Sequence, residues 1–462
     1  MSFAAWRATG KEAAVIGLAR SGVAAALLLR REQLPVYASD ASADPAADSH
    51  SHGPPPEELL RRAGVEVQLG GHDLPRIGRA GVCVVSPGVP PTAPPIRAAL
   101  EAGVPVISEL DVGFAAMPRI QYAVITGTNG KTTTTALTAH LLQSAGLEAE
   151  AAGNIGTPLA ALALEGSPPD WAVVEASSFQ LHDTHELVPT IGAMTNLAPD
   201  HLDRYPTLES YYADKDLLYR NAGPDSVWVI NADDAEVERR AAGRRGEWLR
   251  FTLQGRAEGW FDLARGALML GDTLLLPRSE LALFGDHNVA NALCAALIVE
   301  RAGVAPANIA AGLRSFRALP HRMEPVGEVD GVVWINDSKA TNVASTLVAL
   351  QALHQPFVLL LGGRHKGEPY TALAAAAGDR CRAVVAYGEA RNLIVSDLTQ
   401  LLRVVPRGTD FADVLRTARE LTRPGDAVLL SPACSSYDMF QNYEDRGAQF
   451  RAAVDALKEA GR

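Results

Sequence analysis

The run from Tyr122 to Thr135 (Tyr-Ala-Val-Ile-Thr-Gly-Thr-Asn-Gly-Lys-Thr-Thr-Thr-Thr) constrains this chain more than any other stretch. It reads as a short apolar strand, a glycine turn and the start of a helix that continues to about Gly146. Gly127 and Gly130 let the backbone bend so that successive N–H groups point at an anion, and the helix adds its positive dipole end. Lys131 is placed to reach the β- and γ-phosphates of a nucleotide, and the Thr132 hydroxyl to sit on Mg²⁺. The full P-loop pattern would put its first glycine where Ile125 stands, so the motif is a shortened Gly-x-x-Gly-Lys-Thr. A Gly-Asn turn without a ligand is the simpler alternative. The flanking strand and helix are those a phosphate loop demands, and an ATP site is expected.

A chain of 462 residues, 47% of them hydrophobic, has length and core for two to four domains. Its formal net charge of −11 argues against a nucleic-acid or membrane-surface partner. Cys83, Cys294, Cys381 and Cys434 are far apart, which suggests neither a zinc site nor a disulfide framework and suits a reducing compartment. The first residues lack a secretory-signal pattern, and no apolar run approaches the ~20 residues that span a bilayer. A soluble, cytoplasmic protein acting as a monomer is expected.

The first third alternates short strands with helical patterns, the sign of a mostly parallel sheet. A strand over Ala13 to Gly17, a helix from Gly22 to Arg30 and a strand ending at Asp40 form a loosened dinucleotide fingerprint. Ala19 stands where the second glycine of an NAD site belongs, so a nucleotide-like ligand held differently is favoured, with a plain βαβ unit as the alternative. Residues 41–56 read as a Ser/Ala/Pro-rich loop, in which His50 and His52 are better explained by solvation than by metal binding. Ser86-Pro-Gly88 follows an apolar run as a rigid strand-end turn, and the first domain closes near Glu109 to Met117. Further strands are expected at Trp171 to Val174, Ile191 to Thr195 and Val227 to Asn231, a helix over 207–221, and a helix opening at Phe284 to Leu293 with Asp286 as its cap. The last third restarts near Leu319, with strands at Val332 to Ile335, Phe357 to Leu361, Ala383 to Ala386 and Ala427 to Leu430.

Glu175 ends a strand next to the phosphate loop, the usual place for a carboxylate that holds Mg²⁺. In Asp200-His201-Leu-Asp203, His201 could contact metal or phosphate, or the segment could be a turn with capping aspartates; spacing alone leaves both open. Lys215 lies at helical spacing from Tyr211, Tyr212, Leu218 and Tyr219, on the apolar stripe, where a lysine must snorkel, pair or be modified. Snorkelling past the tyrosine rings is the commoner outcome for such a pattern. The block Asn336-Asp337-Ser338-Lys339-Ala-Thr341-Asn342 packs donors and one cation at a strand end, and suits an anionic ligand. Gly362-Gly-Arg-His-Lys366 and Ser431 to Phe440 also stand at strand ends. Three such clusters in one domain point to a single small-ligand site.

Together these blocks resemble the Mur ligases, the ATP-dependent amide-forming enzymes that build the peptidoglycan stem peptide, and the resemblance covers nearly the whole chain. The block Gly127 to Thr132 marks only the superfamily, which includes folylpolyglutamate synthase. Leu319-Pro-His-Arg322, Asn336 to Asn342 and Ser431 to Asp438 look like the branch that adds D-glutamate to UDP-N-acetylmuramoyl-L-alanine. The resemblance implies an α/β protein of three domains, each with a mostly parallel sheet and flanking helices. Residues 1–110 would form a Rossmann-like domain for the UDP substrate, 111–318 a P-loop-type ATPase domain, and 319–462 a Rossmann-like domain for the amino acid. It implies that Gly127, Asn129, Gly130, Lys131, Thr132 and Thr133 form the nucleotide loop, with Asn288 and Asn291 near adenine and Arg322 and Asp337 as further nucleotide contacts. Thr132, Glu175, His201 and Lys215 would serve two Mg²⁺ ions, Lys215 as a carbamate, with Lys131, His201 and Lys215 acting in catalysis. Ser21, Asp40, Ser86 and Gly88 match contacts to the UDP end, Asn154 and His201 contacts further along that substrate, and Lys339, Thr341, Lys366, Ser436 and Tyr443 match D-glutamate positions. Tyr443 stands where the family usually has phenylalanine, and Arg20 and the loop 41–56 depart from the common pattern. The implied mechanism runs through an acyl phosphate, with closure of the last domain excluding water. Rival readings are a ligase for a diamino acid or polyglutamate, and a nucleotide-binding scaffold with a degenerate site.

Overall fold

The computed structural model describes residues 2–44, 55–201 and 204–460, so His50, His52, Asp203 and most of the loop 41–56 lie outside the described residues. The chain forms two compact units, Met1–Leu281 with Ala290–Ser315, and Ala282–Val289 with Phe316–Arg462.

The first unit holds two sheets. Strands β1 (Ala13–Ile16), β2 (Val36–Asp40), β3 (Glu66–Leu69), β4 (Val82–Val85) and β5 (Val106–Ser108) form a five-stranded sheet in the order β3-β2-β1-β4-β5, every pair parallel. Strands β1 and β4 are buried along their whole length, which is why they read as unbroken apolar runs with no polar alternation. The strand order reverses between β1 and β4, the point at which open α/β sheets take ligands. Helix Arg20–Arg31 begins hard against the end of β1 because Gly22 has no side chain; a Cβ there would lie 1.8 Å from the Gly17 carbonyl oxygen.

The second sheet has nine strands: β6 (Gln121–Thr126), β7 (Ala149–Gly153), β8 (Trp171–Glu175), β9 (Ile191–Met194), β10 (Val227–Asn231), β11 (Glu247–Thr252), β12 (Gly259–Asp262), β13 (Ala267–Leu270) and β14 (Thr273–Pro277). Strand β6 runs parallel between β8 and β9, so the loop after it emerges beside the ends of both. Strands β12 to β14 extend one edge as an antiparallel meander, which the sequence pattern does not reveal. Helix Glu109–Ala116, which follows β5, packs on helix Leu159–Leu164 at a distance set by Gly113, where a Cβ would sit 2.6 Å from Leu159. Glu109 is buried there and accepts the Ala160 N–H, and burial pushes its carboxyl up to about 7.

The second unit carries β15 (Glu324–Val329), β16 (Val332–Asn336), β17 (Phe357–Gly362), β18 (Cys381–Tyr387), β19 (Val404–Pro406) and β20 (Ala427–Leu430), in the order β15-β16-β20-β17-β18-β19. All neighbours are parallel except β15 and β16, a hairpin whose turn residues Asp330 and Gly331 both have positive φ. The mostly parallel α/β architecture is as expected, and the four expected strands of this unit fall within β16, β17, β18 and β20. Two elements differ. The helix expected over 207–221 is Leu208–Asp216, tightened into a 3₁₀ turn at Leu217–Tyr219. Helix Asp286–Arg301 starts at Asp286, so that carboxylate lies in the first turn facing the helix dipole. Among the described residues no helix is long and apolar enough to cross a membrane.

Candidate active site

The turn after β6 is held by backbone and side chains on the neighbouring strand ends. Gly127 (φ +139°) and Gly130 (φ +81°) have backbones that L side chains avoid, and a Cβ on Gly130 would meet Asn291 Oδ1 at 2.3 Å. Gly130 is the N-cap of helix Lys131–Ser144, with no side chain over the helix end. Asn196 braces the turn from both sides: its Oδ1 accepts the Asn129 N–H at 2.8 Å and its amide donates to the Asn129 carbonyl at 3.0 Å. The Thr195 hydroxyl donates to the same carbonyl at 2.7 Å. Lys131 Nζ curls over the turn to donate to the carbonyls of Gly127 (2.9 Å) and Thr128 (2.7 Å), while Thr132 and Thr133 are half-buried in the first helical turn. Asn291 lies against this loop, bonded by the Thr134 hydroxyl at 3.2 Å, and Asn288 is one helical turn earlier, its amide donating to the Phe284 carbonyl.

Lys215 does not snorkel. It is 1% exposed, its Nζ donates to the Gly127 carbonyl at 2.6 Å, and it lies 4.9 Å from the Tyr211 ring centroid. Burial, and then the nearby Lys131 cation, hold its pKa well below the ordinary lysine value, with Asp200, Glu175 and Asp214 opposing. Glu175 is buried at the end of β8; its Oε1 accepts from Asn154 Nδ2 at 2.9 Å, and its Oε2 has no hydrogen-bond partner. An orphaned carboxylate oxygen beside a glycine turn and a helix N-terminus fits a divalent cation carried with nucleotide phosphates. Among the described residues no three His, Cys, Asp or Glu side chains form a metal cage. His201 has φ +55°, is half-exposed, and packs edge-on against Phe179 at 5.0 Å. Sequence reasoning gave no part to Asn196 or Thr195, although they directly follow a strand paired with the nucleotide strand.

At the switch point of the five-stranded sheet, Ser86 Oγ donates to the Gly17 carbonyl at 2.8 Å. Asp40 accepts the N–H groups of Leu18 (2.7 Å) and Ser42 (2.8 Å). Ser21 lies in the first turn of the adjoining helix, Gly88 is exposed two residues beyond Ser86, and Arg20 reaches the Gly156 carbonyl at 3.3 Å. Ser21, Asp40 and Ser86 are thus gathered at one strand-end crevice, while Asn154 sits with Glu175.

In the second unit the three strand-end clusters converge, because β16, β20 and β17 are neighbours. The Asp337 N–H donates to the Leu430 carbonyl, and Ser431 Oγ donates to Asp337 Oδ2 at 2.8 Å. Burial pushes the Asp337 carboxyl up to about 7, against the pull of Ser431, the Met323 N–H and Arg322. The turn carrying Arg322 is strained, with φ +63° at His321 and +42° at Met323. Lys366 Nζ donates to Thr341 Oγ1 at 3.3 Å, and Lys339 Nζ donates to the Tyr443 hydroxyl at 2.9 Å. That hydroxyl is what a phenylalanine would lack. Ser436 is buried in the loop after β20. Arg446, fully buried and donating to Ser338 Oγ, the Ser338 carbonyl and the Cys434 carbonyl, ties the blocks together and carried no signal in its own stretch of sequence.

Comparison with known proteins accounts for both units. Residues 11–108 match the MurD-like N-terminal domain of the Mur ligases, 125–299 the Mur ligase middle domain, and 321–434 the Mur ligase glutamate ligase domain. The UDP-N-acetylmuramoylalanine–D-glutamate ligase of Salinibacter ruber is 41% identical over 96% of this chain and 98% of its own length. That of Myxococcus xanthus is 39% identical over 97% of this chain and 99% of its own. The chain belongs to the Mur ligase family. It is accordingly an ATP-dependent ligase. Solved Mur ligases share its fold: the UDP-N-acetylmuramate–alanine ligase of Thermotoga maritima (TM-score 0.61, 19% identity) and a pseudomurein peptide ligase of Methanothermus fervidus (TM-score 0.59, 19% identity) each align over 97% of this Mur ligase and 100% of their own chains.

Proposed function

We infer that this Mur ligase joins D-glutamate to UDP-N-acetylmuramoyl-L-alanine, converting ATP to ADP and phosphate, as its relatives of that name do. The observation that carries the amino-acid assignment is the convergence of Lys339, Lys366, Thr341 and Ser436 at three adjacent strand ends, where two amines suit a second carboxylate better than a second amine. The division of labour follows the three sheets: the five-stranded sheet takes the UDP end at Ser21, Asp40, Ser86 and Gly88, the nine-stranded sheet takes ATP, and the six-stranded sheet takes D-glutamate.

An ionised carboxylate is a poor acyl donor. The γ-phosphoryl of ATP passes to the terminal alanine carboxylate, the amine of D-glutamate attacks the acyl phosphate, and phosphate departs as the amide forms. Lys131, the N–H groups of Gly130 to Thr133 and the helix dipole neutralise and orient the transferring phosphoryl. Mg²⁺ bound at Glu175 and Thr132 would add electrostatic stabilisation of phosphate charge. Asn288, Asn291, Arg322 and Asp337 are proposed for the nucleotide, and Asn154 and His201 for the middle of the UDP substrate. A second ion is proposed at His201 and Lys215. The buried amine of Lys215, held towards its neutral form, is a nucleophile for CO₂; the carbamate gains a negative charge and releases one proton, which converts a repelling cation into a ligand. ADP release tests the reading. It is expected only when ATP, Mg²⁺, UDP-N-acetylmuramoyl-L-alanine and D-glutamate are all present. Tight ATP binding without turnover on any amino acid would instead favour a scaffold.

A further inference from the structure

The second unit contains a hydrogen-bond junction that none of the proposed ligand contacts uses. Tyr370 is 1% exposed, and its hydroxyl lies 2.9 Å from His365 Nδ1 and 2.9 Å from Cys434 Sγ. His365 precedes Lys366 in the loop after β17, and Cys434 stands two residues before Ser436 in the loop after β20. One hydroxyl therefore joins the two loops. The loops already touch through a short antiparallel bridge, the Arg364 N–H donating to the Ser435 carbonyl at 2.8 Å and the Ser435 N–H to the Arg364 carbonyl at 3.1 Å. That bridge stops short of Lys366, which is exposed, and the chain then turns through Gly367 at φ +89°. Lys366 would be poorly fixed by it alone.

The segment is fastened at two more points. The Tyr370 N–H donates to Asp397 Oδ2 at 2.9 Å. Glu368 Oε2 accepts the N–H of Val343 at 3.0 Å, the first residue of helix Val343–Ala352, directly after Thr341 and Asn342. The carboxylate thus also meets the positive end of that helix. Lys366 lies on a short arc between these anchors, with Thr341 Oγ1 within its reach. The Tyr370 hydroxyl can donate to His365 and accept from the Cys434 thiol, or the reverse, so the junction survives a change of proton on the imidazole.

We propose that the segment His365 to Tyr370 is a clasp, and that Tyr370 and Glu368 are positioning residues that fix Lys366 relative to Ser436 and Thr341 and so set the affinity for the dicarboxylic amino acid. The proposal rests on reading these strand ends as the D-glutamate site. Phenylalanine at 370 keeps the ring in the core with Leu361, Leu373 and Ile394 and removes only the hydroxyl.

The test is steady-state kinetics on the full chain, comparing wild type with Tyr370→Phe and Glu368→Ala, which removes the acceptor of the Val343 N–H. Each variant is expected to raise KM for D-glutamate roughly 3- to 10-fold, the range one lost internal hydrogen bond supports, with kcat and the KM values for ATP and the UDP substrate within about twofold. An unchanged KM for D-glutamate in both variants, or all three KM values rising together, would overturn the clasp. If Tyr370→Phe lowers the melting temperature too far to assay, Glu368→Ala carries the same expectation from an exposed position. A wild type that turns over another amino acid but not D-glutamate would defeat the site reading instead, and the clasp is then judged on the KM of the amino acid it accepts.

Discussion

Two lysine amines donate to one carbonyl oxygen at Gly127, and burial, with this sharing added to it, governs the chemistry of Lys215. Two ammonium ions in contact with one acceptor repel, and the more deeply buried of the pair is the one displaced towards the neutral amine. A lysine whose folded pKa is depressed leaves the unfolded chain binding more protons between the two values, so stability rises with pH across that window and is penalised at neutral pH. Replacing Lys215 by methionine, of similar shape, should therefore hold or raise the melting temperature at pH 7, by up to a few degrees, because Gly127 keeps its bond from Lys131. Turnover should fall by more than about 100-fold. In Lys215→Ala, acetate or formate should restore part of it; full activity without rescue would exclude the carbamate. The apolar spacing around residue 215 already showed that this lysine was misplaced, but not the outcome. The carbonyl that captures it is 88 residues away in sequence, and no local pattern carries that information.

At the scale of elements, the apolar strand runs were readable because burial alone dictates them, whereas some glycines answer to neighbours distant in sequence. Gly22, Gly113 and Gly130 each sit where a Cβ would collide with a neighbouring element, β1 and β4 are buried and apolar throughout, and β6 and β8 have buried apolar centres. The edge strands were less readable. Strands β12, β14 and β15 depend on antiparallel partners and turns, and their half-exposed faces mix polar with apolar residues. Tyr370, Asn196 and Arg446 were missed for another reason: each works through hydrogen bonds to segments far off in sequence. Glu109 joins helix Glu109–Ala116 to the start of helix Leu159–Leu164 and supplies a test at this scale. Its carboxyl is raised from 4.5 to about 7 by burial, so its favourable contribution is complete below about pH 4.5 and is lost as pH rises through 7. Glu109→Gln, permanently neutral, should match wild type near pH 5 and exceed it at pH 8, by on the order of 2 kcal/mol in denaturant unfolding. Parallel stability curves for the two proteins across that range would show that the carboxyl does not titrate as described.

For the whole molecule, each sheet sets its loops at the carboxyl ends of parallel strands, and the proposed function gives each set of loops one kind of chemistry. The nucleotide loop is common to the superfamily and decides little about the product. On the proposed reading, what the chain makes is decided in the second unit, by the amines of Lys339 and Lys366 and the hydroxyls of Thr341 and Ser436. That set was readable in the sequence as strand-end clusters, and the adjacency of β16, β20 and β17 turns three clusters into one site. The most direct measurement is kcat/KM for D-glutamate, L-lysine and meso-diaminopimelate in turn, with ATP and UDP-N-acetylmuramoyl-L-alanine saturating. Two cations facing a second carboxylate predict a preference for D-glutamate of at least about 100-fold, since a diamino acid would leave like charges unpaired. Turnover with L-lysine or diaminopimelate and none with D-glutamate would contradict it.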